Sequence, residues 1–389
     1  QIKVCDNCHL SAKACPASHS GACHSKLTTS APRALAIKRP KCPLPAHHSN
    51  TGKLSWGKCC TKAVICCHFR PPMSVANQNG GWSPWYTVHK VMAGLVDAYL
   101  YAHNEQALQV VEGMANWAYN TVNHLPDSTR LKMLNCEYGG MNDVLANIYS
   151  FTGNKKYLDL SYKFYDEFVM GKLAQRIDPL PGKHSNTNVP KAIGSARQYE
   201  LTGNKSDQTI AAFFWETMVH NHSYVIGGNS NYEYCGEAGK LNERLSDNTC
   251  ETCNTYNMLK LTRHLFAWQP SAQLMDYYER ALYNHILASQ NPENGMMTYF
   301  VPLRMGTKKQ FSDQFNTFTC CVGSGIENHA KYAEQIYSYD GKNNLYVNLF
   351  IPSVLNWKEK NIRITQTNYI PESKQVRLVV IATTPTSFT

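Results

Sequence analysis

No apolar stretch in the chain approaches the roughly 20 residues that a bilayer-spanning helix needs, and the opening Gln-Ile-Lys-Val-Cys lacks the apolar core of a signal peptide. Charge is sparse as well. Only 17% of the 389 residues are Asp, Glu, Lys or Arg, against 43% apolar, a balance that predicts a soluble globular protein with one large core or two domains and excludes disorder throughout. The body of the chain also lacks net charge. Residues 1–70 carry eight Lys and three Arg against a single acid, Asp6, so the whole formal charge of +10 sits there, and the 27 basic and 27 acidic residues beyond cancel. That balance excludes a broad basic face for nucleic acid on the body.

Cysteine is divided in the same way. Nine of the fifteen lie in the first 70 residues, and the others are Cys136, Cys235, Cys250, Cys253, Cys320 and Cys321. The leader mixes His, Pro, Ser and Lys without apolar periodicity, and its odd cysteine count fits no closed disulfide framework. Residues 1–75 therefore read as an atypical, Cys-rich, basic and disordered segment. Its Cys5-x-x-Cys8, with His9, His19 and His24 nearby, is a zinc-like pair without the second pair that a zinc module needs.

From about residue 82 helical spacing takes over. Val88, Val91, Met92, Leu95, Val96 and Tyr99 form one apolar stripe; Leu274, Tyr277, Tyr278, Ala281, Leu282 and His285 repeat it, and Tyr157, Ser161, Phe164, Tyr165 and Phe168 give a looser version. Phe151-Thr-Gly-Asn154 and Leu201-Thr-Gly-Asn204 stand fifty residues apart, each after an apolar helical end, and Gly153 and Gly203 suit the left-handed position that closes a helix. Helical hairpins at that period predict a toroid of paired helices, with an open array as the alternative. Near residue 337 the pattern turns to strands: Leu345–Ile351, Ile362–Gln366 and Val376–Ile381 alternate and are rich in β-branched residues. Three strands with edges still to be paired predict the start of a β domain at 337–389.

The chemistry concentrates in Cys250-Glu-Thr-Cys-Asn-Thr-Tyr-Asn257 and in Thr319-Cys-Cys-Val-Gly-Ser-Gly-Ile-Glu-Asn-His329. Glu251 and Cys253, two residues apart, share a side only in an extended segment, which places the pair ahead of the helix that follows. Cys320 and Cys321 reach one point only if the backbone turns there, and Gly323 and Gly325 leave the next turn free. Three thiolates and a carboxylate make a tetrahedral zinc donor set. The same residues also read as buried core cysteines with Glu251 favoured by a helix dipole, or with Cys320 and Cys321 joined as a vicinal disulfide.

These segments, together with Trp82-Ser-Pro-Trp-Tyr-Thr-Val-His-Lys90, Glu137-Tyr-Gly-Gly-Met-Asn142, His184-Ser-Asn-Thr187 and Ser223-Tyr-Val-Ile-Gly-Gly-Asn-Ser230, resemble the β-L-arabinofuranosidases of glycoside hydrolase families 127 and 146, with Cys-Cys-Val-Gly closer to the latter. The resemblance runs from about residue 80 to the end. It implies a mainly α fold, an (α/α)6 barrel at 76–336, incomplete at its N-terminal side, followed by the start of a β-sandwich. It implies a retaining hydrolase that releases terminal β-L-arabinofuranosyl groups from an arabinose-containing glycan or glycoside. Zinc is the implied cofactor, on Glu251, Cys253, Cys320 and Cys321, with Cys320 as nucleophile. Glu233 is the implied acid/base, Glu237 being the alternative from the related spacing, and His89, Glu137 and His184 are implied to line the sugar pocket. Trp85 and Tyr86 read either as stacking platforms for the sugar or as core. Residues 1–70 show nothing of the Arg-Gly-His-type region that precedes these motifs in the family. The sequence keeps two other readings open: an inactive or truncated relative with a structural zinc that at most binds sugar, and nucleic-acid binding through the basic leader, which the neutral body opposes.

Overall fold

The computed structural model of the protein describes residues 3–4, 8–10, 83–369 and 372–389. Four helical hairpins follow one another: Pro84–Ala102 with Glu105–Val122, Met141–Thr152 with Lys155–Ser161, Ser185–Thr202 with Lys205–Thr217, and Thr252–Trp268 with Ala272–Ala281. Neighbouring hairpins meet through their first helices, and Cys320–Ala330 packs on the last of these, against Thr252–Trp268. The first helices thus make an inner arc and the second helices an outer one, the layered arrangement of an α/α-barrel.

The Thr-Gly-Asn punctuation builds two of the hairpins as its spacing predicts. Gly153 (φ +67°) and Gly203 (φ +74°) close their helices in the left-handed region, each donating its N–H over 2.8 Å to the carbonyl four residues back. The next residue, Asn154 or Asn204, caps the following helix by accepting the N–H of Lys156 (3.3 Å) or Ser206 (3.0 Å). One helix ends and the next begins within three residues, which turns the pair back on itself. The looser stripe does not extend as far as its spacing suggests: the helix ends at Ser161, and Phe164 enters the core from the irregular segment that follows.

Inner and outer helices differ in how they bury polar groups. Ala272–Ala281 is amphipathic, whereas Ser185–Thr202 is buried almost all round, including Asn186, Asn188, Lys191, Ser195 and Gln198. Such groups need partners. The Lys191 ammonium lies 2.8 Å from Asp166 Oδ2, which also accepts from the Tyr138 hydroxyl at 2.7 Å, while Oδ1 accepts the Val169 N–H at 2.8 Å. Burial alone would push the Asp166 carboxyl up, but the Lys191 charge and these hydrogen bonds hold it below its ordinary value. Asp166→Asn leaves the ammonium buried and unpaired and is expected to lower stability by about 3–5 kcal/mol in urea unfolding at pH 7. A carboxyl depressed in the folded state contributes fully above its unfolded value and loses that contribution as pH falls through the folded one. The gap between wild type and variant should therefore begin to close only below about pH 4.

Among the described residues two large apolar cores result, with a small third cluster of Tyr224, Cys250 and Val301. One lies under the first two hairpins around Trp85, Met92, Val111, Met141 and Phe164. The other lies under the last two and continues into strand residues Leu355, Trp357, Ile362 and Ile364, so helices and sheet share one interior. An antiparallel sheet runs in the order Cys8–Leu10, Ser353–Trp357, Ile362–Thr367, Arg377–Ala382; a smaller one joins Lys3–Val4, Tyr337–Tyr339 and Leu345–Val347. Ser353 faces Gln366 and Trp357 faces Ile362, while Ile362 faces Ala382 and Thr367 faces Arg377. The strand pattern foresees Ile362–Thr367 and Arg377–Ala382, overextends Leu345–Val347, and misses Ser353–Trp357, whose buried positions are Ser353, Leu355 and Trp357. Lys3–Val4 and Cys8–Leu10 are strands where an unstructured leader is expected. The rest of that leader, including Cys5, lies outside the described residues.

Candidate active site

The site forms where the N-terminal ends of inner helices meet. Glu251 is the extended residue that precedes Thr252–Trp268, with Cys253 already in its first turn, so the pair straddles the helix start rather than preceding it. Cys320 and Cys321 open the helix Cys320–Ala330. That start supplies the turn, and Gly323 and Gly325 lie inside the helix instead; a Cβ at Gly325 would sit 2.7 Å from Met297. The ligand atoms of Glu251, Cys253, Cys320 and Cys321 all lie within 4.8 Å of one another, with Cys320 alone exposed. Its sulfur is 3.9 Å from Glu251 Oε1 and 4.0 Å from Cys321 Sγ, about twice an S–S bond length. The vicinal disulfide is thereby ruled out, and Cys136, Cys235, Cys250, Cys253, Cys320 and Cys321 are free.

Backbone strain and buried histidine set the loop ahead of Glu251. Cys250 has φ +57°, and its carbonyl accepts from His285 Nε2 at 3.0 Å, while His285 Nδ1 accepts the Thr255 hydroxyl at 2.8 Å. Gly228 is required beside them, since a Cβ there would meet His285 at 2.6 Å.

The cluster's electrostatics are those of four acids crowded together at helix N-termini. Hydrogen bonding with Cys253, then with Cys321, holds the Cys320 thiol far below its ordinary range. The same bond to Cys320 pushes the Cys253 thiol up, and burial pushes up the Cys321 thiol and the Glu251 carboxyl. Glu251 Oε1 accepts from Asn186 Nδ2 at 3.0 Å, and Asn186 is in turn held by Asn257 at 2.8 Å. Glu251 Oε2 is buried with no hydrogen-bond partner. One Glu251 oxygen and three sulfurs within 4.8 Å of one another, beside a buried carboxylate oxygen that has no partner, could hold a metal ion.

Opposite Cys320 stands Glu233, at φ +70° in a turn where Ser230 and Tyr232 are also left-handed. Backbone strain of this kind concentrates at functional sites. Its carbonyl accepts the Ser185 N–H at 2.8 Å, which fixes the turn to the start of Ser185–Thr202. Glu233 Oε1 accepts a short hydrogen bond from the Tyr299 hydroxyl, and Oε2 lies 3.5 Å from His184 Nε2. His184, then Tyr299, lower the Glu233 carboxyl against its partial burial. Burial pulls the His184 imidazole down, but the Glu233 hydrogen bond and the Glu137 charge raise it overall. The Thr187 N–H, 3.3 Å from His184 Nδ1, assigns that nitrogen as acceptor and puts the ring hydrogen on Nε2, toward Glu233. Glu137 Oε1 is 4.0 Å from His184 Nδ1, and its other oxygen accepts from Ser83 at 3.4 Å. Glu237 is exposed on the same loop, outside this set of contacts.

His89 is buried, and desolvation lowers its pKa so that the ring is neutral; Nδ1 accepts the Gly140 N–H at 3.1 Å, leaving the hydrogen on Nε2. The backbone lies directly on this ring. A Cβ at Gly140 would sit 2.8 Å from Nε2, and one at Gly139, where φ is +56°, 2.7 Å from Nδ1. Gly140→Ala must displace the imidazole and is expected to lower stability by about 1–3 kcal/mol in urea unfolding. Trp85 resolves as core, packed on Trp117 and Phe164, whereas Tyr86 stands edge-on to His89, and its pKa is raised by burial and by the nearby cluster.

The family model of the β-L-arabinofuranosidase GH127 catalytic domain matches residues 62–334. The chain belongs to this family. The model of the GH127 middle domain matches residues 344–389, the strand-rich end. Among solved structures, a GH127 β-arabinofuranosidase is 20% identical with a TM-score of 0.62, over 79% of this chain and 49% of its own. A GH127 β-L-arabinofuranosidase from Geobacillus stearothermophilus T6 is 18% identical with a TM-score of 0.60, over 80% of this chain and 54% of its own. The chain thus spans about half the length of these two structures. A comparison with curated proteins found no match.

In this GH127 chain the structure brings together Glu251, Cys253, Cys320, Cys321, Glu233, His184 and Glu137, with His89 beside them on the Gly139-Gly140 turn. Sequence reasoning missed Tyr299, whose hydroxyl lies 3.4 Å from Cys320 Sγ and also donates to Glu233. Only the alternation in Met297-Thr-Tyr-Phe300 marks that segment, which pairs Phe300 with Glu251 across a single bridge. Asn186 and Asn257 stand inside quoted motifs, but without the fold their amides show no common target.

Proposed function

We propose that the chain acts as a retaining glycoside hydrolase that releases terminal β-L-arabinofuranosyl residues, with Cys320 as nucleophile and Glu233 as acid/base. The observation that carries this reading is that the exposed Cys320 sulfur and the Glu233 carboxylate both contact a single phenol hydroxyl, that of Tyr299. Such a short separation suits retention, in which the nucleophile itself reaches the anomeric carbon. Cys320 Sγ forms the C–S bond as the glycosidic C–O bond breaks, and the leaving oxygen takes a proton from Glu233. Glu233 then takes a proton from water, the water oxygen bonds to the anomeric carbon, and the sulfur leaves as thiolate. Neutral His89, with His184 and Glu137, orients the sugar hydroxyls by hydrogen bonding.

Glu251, Cys253, Cys320 and Cys321 would hold a zinc ion, whose charge keeps the sulfurs deprotonated near neutral pH. The orphan Glu251 oxygen and the three-sulfur set support this assignment. The domain reading that goes with it is a catalytic α/α region over 76–336 and a β region over 337–389.

The test is hydrolysis of 4-nitrophenyl β-L-arabinofuranoside by the zinc-loaded chain, with the anomer of the first product identified by proton NMR. Release of the β anomer is expected. No hydrolysis by protein carrying one zinc per chain, or an α first product, overturns the reading.

A further inference from the structure

Three parts of the site arrive on separate elements: Glu233 on a left-handed turn, Glu251 and Cys253 at the start of Thr252–Trp268, and His184 at the start of Ser185–Thr202. Their spacing decides whether a sulfur and a carboxyl can act on one bond, so the elements must be held in register. Asn229, near the end of the motif Ser223–Ser230, lies among all three.

Asn229 and Asn254 are fully buried, and their amides are paired. Asn229 Nδ2 donates to Asn254 Oδ1 at 3.1 Å, and Asn254 Nδ2 donates to Asn229 Oδ1 at 2.8 Å. The same Asn229 oxygen accepts the Ser185 hydroxyl at 2.6 Å, which fills both of its acceptor positions. Asn254 follows Cys253 in the first turn of its helix, Ser185 follows His184, and Asn229 precedes the turn that carries Glu233. One oxygen therefore ties the carboxyl's turn to the helix of Glu251 and Cys253 and to the helix of His184. Backbone bonds run beside it, from the Cys250 N–H to the Ser230 carbonyl at 3.1 Å and from the Tyr232 N–H to the Asn248 carbonyl at 2.9 Å. Ser230, Tyr232, Glu233 and Cys250 are nonetheless all left-handed, a strained arrangement that persists only where its surroundings over-determine it. The buried amide pair supplies that constraint.

We propose that Asn229 is a positioning residue: through its pair with Asn254 and its bond from Ser185 it sets the place of the Glu233 carboxyl relative to the Cys320 sulfur. The proposal rests on the hydrolase reading above. Asn229 acts through the turn, not on the reacting atoms. Alanine there would leave the Ser185 hydroxyl and the Asn254 amide buried without their partner, and would free the turn to relax. A displacement of about 1 Å is enough to cost about 10^2-fold in a step that needs the displaced group.

The test compares methyl β-L-arabinofuranoside, whose leaving oxygen needs a proton from Glu233, with 4-nitrophenyl β-L-arabinofuranoside, whose leaving group needs little. In folded protein matched for metal content, Asn229→Ala is expected to lower kcat/KM about 10^2-fold on the methyl glycoside and only several-fold on the nitrophenyl one. Asn254→Ala should do the same, and the double variant should lose little more than either single one, because the two amides act as a pair. Equal losses on both substrates mark a merely structural role and overturn the proposal, as does a loss within twofold on the methyl glycoside. Should Asn229→Ala not fold, Ser185→Ala, which removes one hydroxyl from the same oxygen, decides by the same ratio, with a several-fold selective loss expected. Crystal structures of the wild type and of the variant used read the position without turnover, and Glu233 is expected to leave its contacts with Tyr299 and His184. If the wild type cleaves neither substrate, the hydrolase reading fails and the structures alone decide the positioning role. A variant in which Glu233 keeps both contacts overturns that role whatever the activity.

Discussion

Cys320→Ser is expected to lower kcat on 4-nitrophenyl β-L-arabinofuranoside by about 10^4-fold or more, while the folded chain keeps its thermal unfolding midpoint. The reason is ionisation. At residue 320 hydrogen bonds with the Cys253 and Cys321 thiols hold the thiol far below its ordinary range, and a hydroxyl in the same place stays protonated and is a far weaker nucleophile. The size of the loss alone does not separate nucleophile from ligand, because residue 320 would serve as both. Cys321→Ser supplies the contrast: Cys321 is the buried neighbour of Cys320 in the cluster, so its loss should lower metal content and activity together. Cys320→Ser, with Glu251, Cys253 and Cys321 intact, should retain a larger share of metal at a far lower rate. Metal analysis by plasma mass spectrometry beside the rate measurement reads the difference. A Cys320→Ser rate within tenfold of wild type would remove Cys320 from the role of nucleophile.

The sequence was most legible where local chemistry alone decides the structure. Thr-Gly-Asn ends and restarts helices through hydrogen bonds that span at most four residues, so its effect could be read without knowing the fold. The four residues of the cluster were legible for a different reason: thiols and an acid at close spacing in two short segments already make a ligand set. Tyr299 was not legible, because its role depends on Glu233 and Cys320 approaching it from elements 66 and 21 residues away. The placement of Cys253 failed through too strict a rule, since an extended residue at the N-cap and a helical one in the first turn share a side without both being extended. Ser353–Trp357 was missed because its inward positions begin with a serine and its apolar character shows only against the helices it covers.

Glu233→Gln is expected to cost about 10^2- to 10^4-fold in kcat/KM on an oligosaccharide, and much less on a 4-nitrophenyl glycoside, whose leaving group needs little protonation. The two hydrogen bonds on Glu233 bear on how it works. His184 and Tyr299 hold the carboxyl below its usual range in the free protein, which favours the carboxylate needed to activate water. A leaving oxygen that takes the place of the Tyr299 hydroxyl at Oε1 removes one of those bonds and raises the proton affinity of the carboxyl where the acid is needed. With the activated substrate the variant should stall after the first step, and added azide, which needs no base, should restore turnover as arabinofuranosyl azide. Glu237→Gln is the control on the same loop. Glu237 is exposed and outside the contacts that join Glu233 to His184 and Tyr299, so its variant should stay within about twofold of wild type, as surface substitutions usually do. If azide instead rescues Glu237→Gln, and Glu233→Gln remains active on the oligosaccharide, the acid/base role passes to Glu237, and the strained turn at 230–233 serves another purpose.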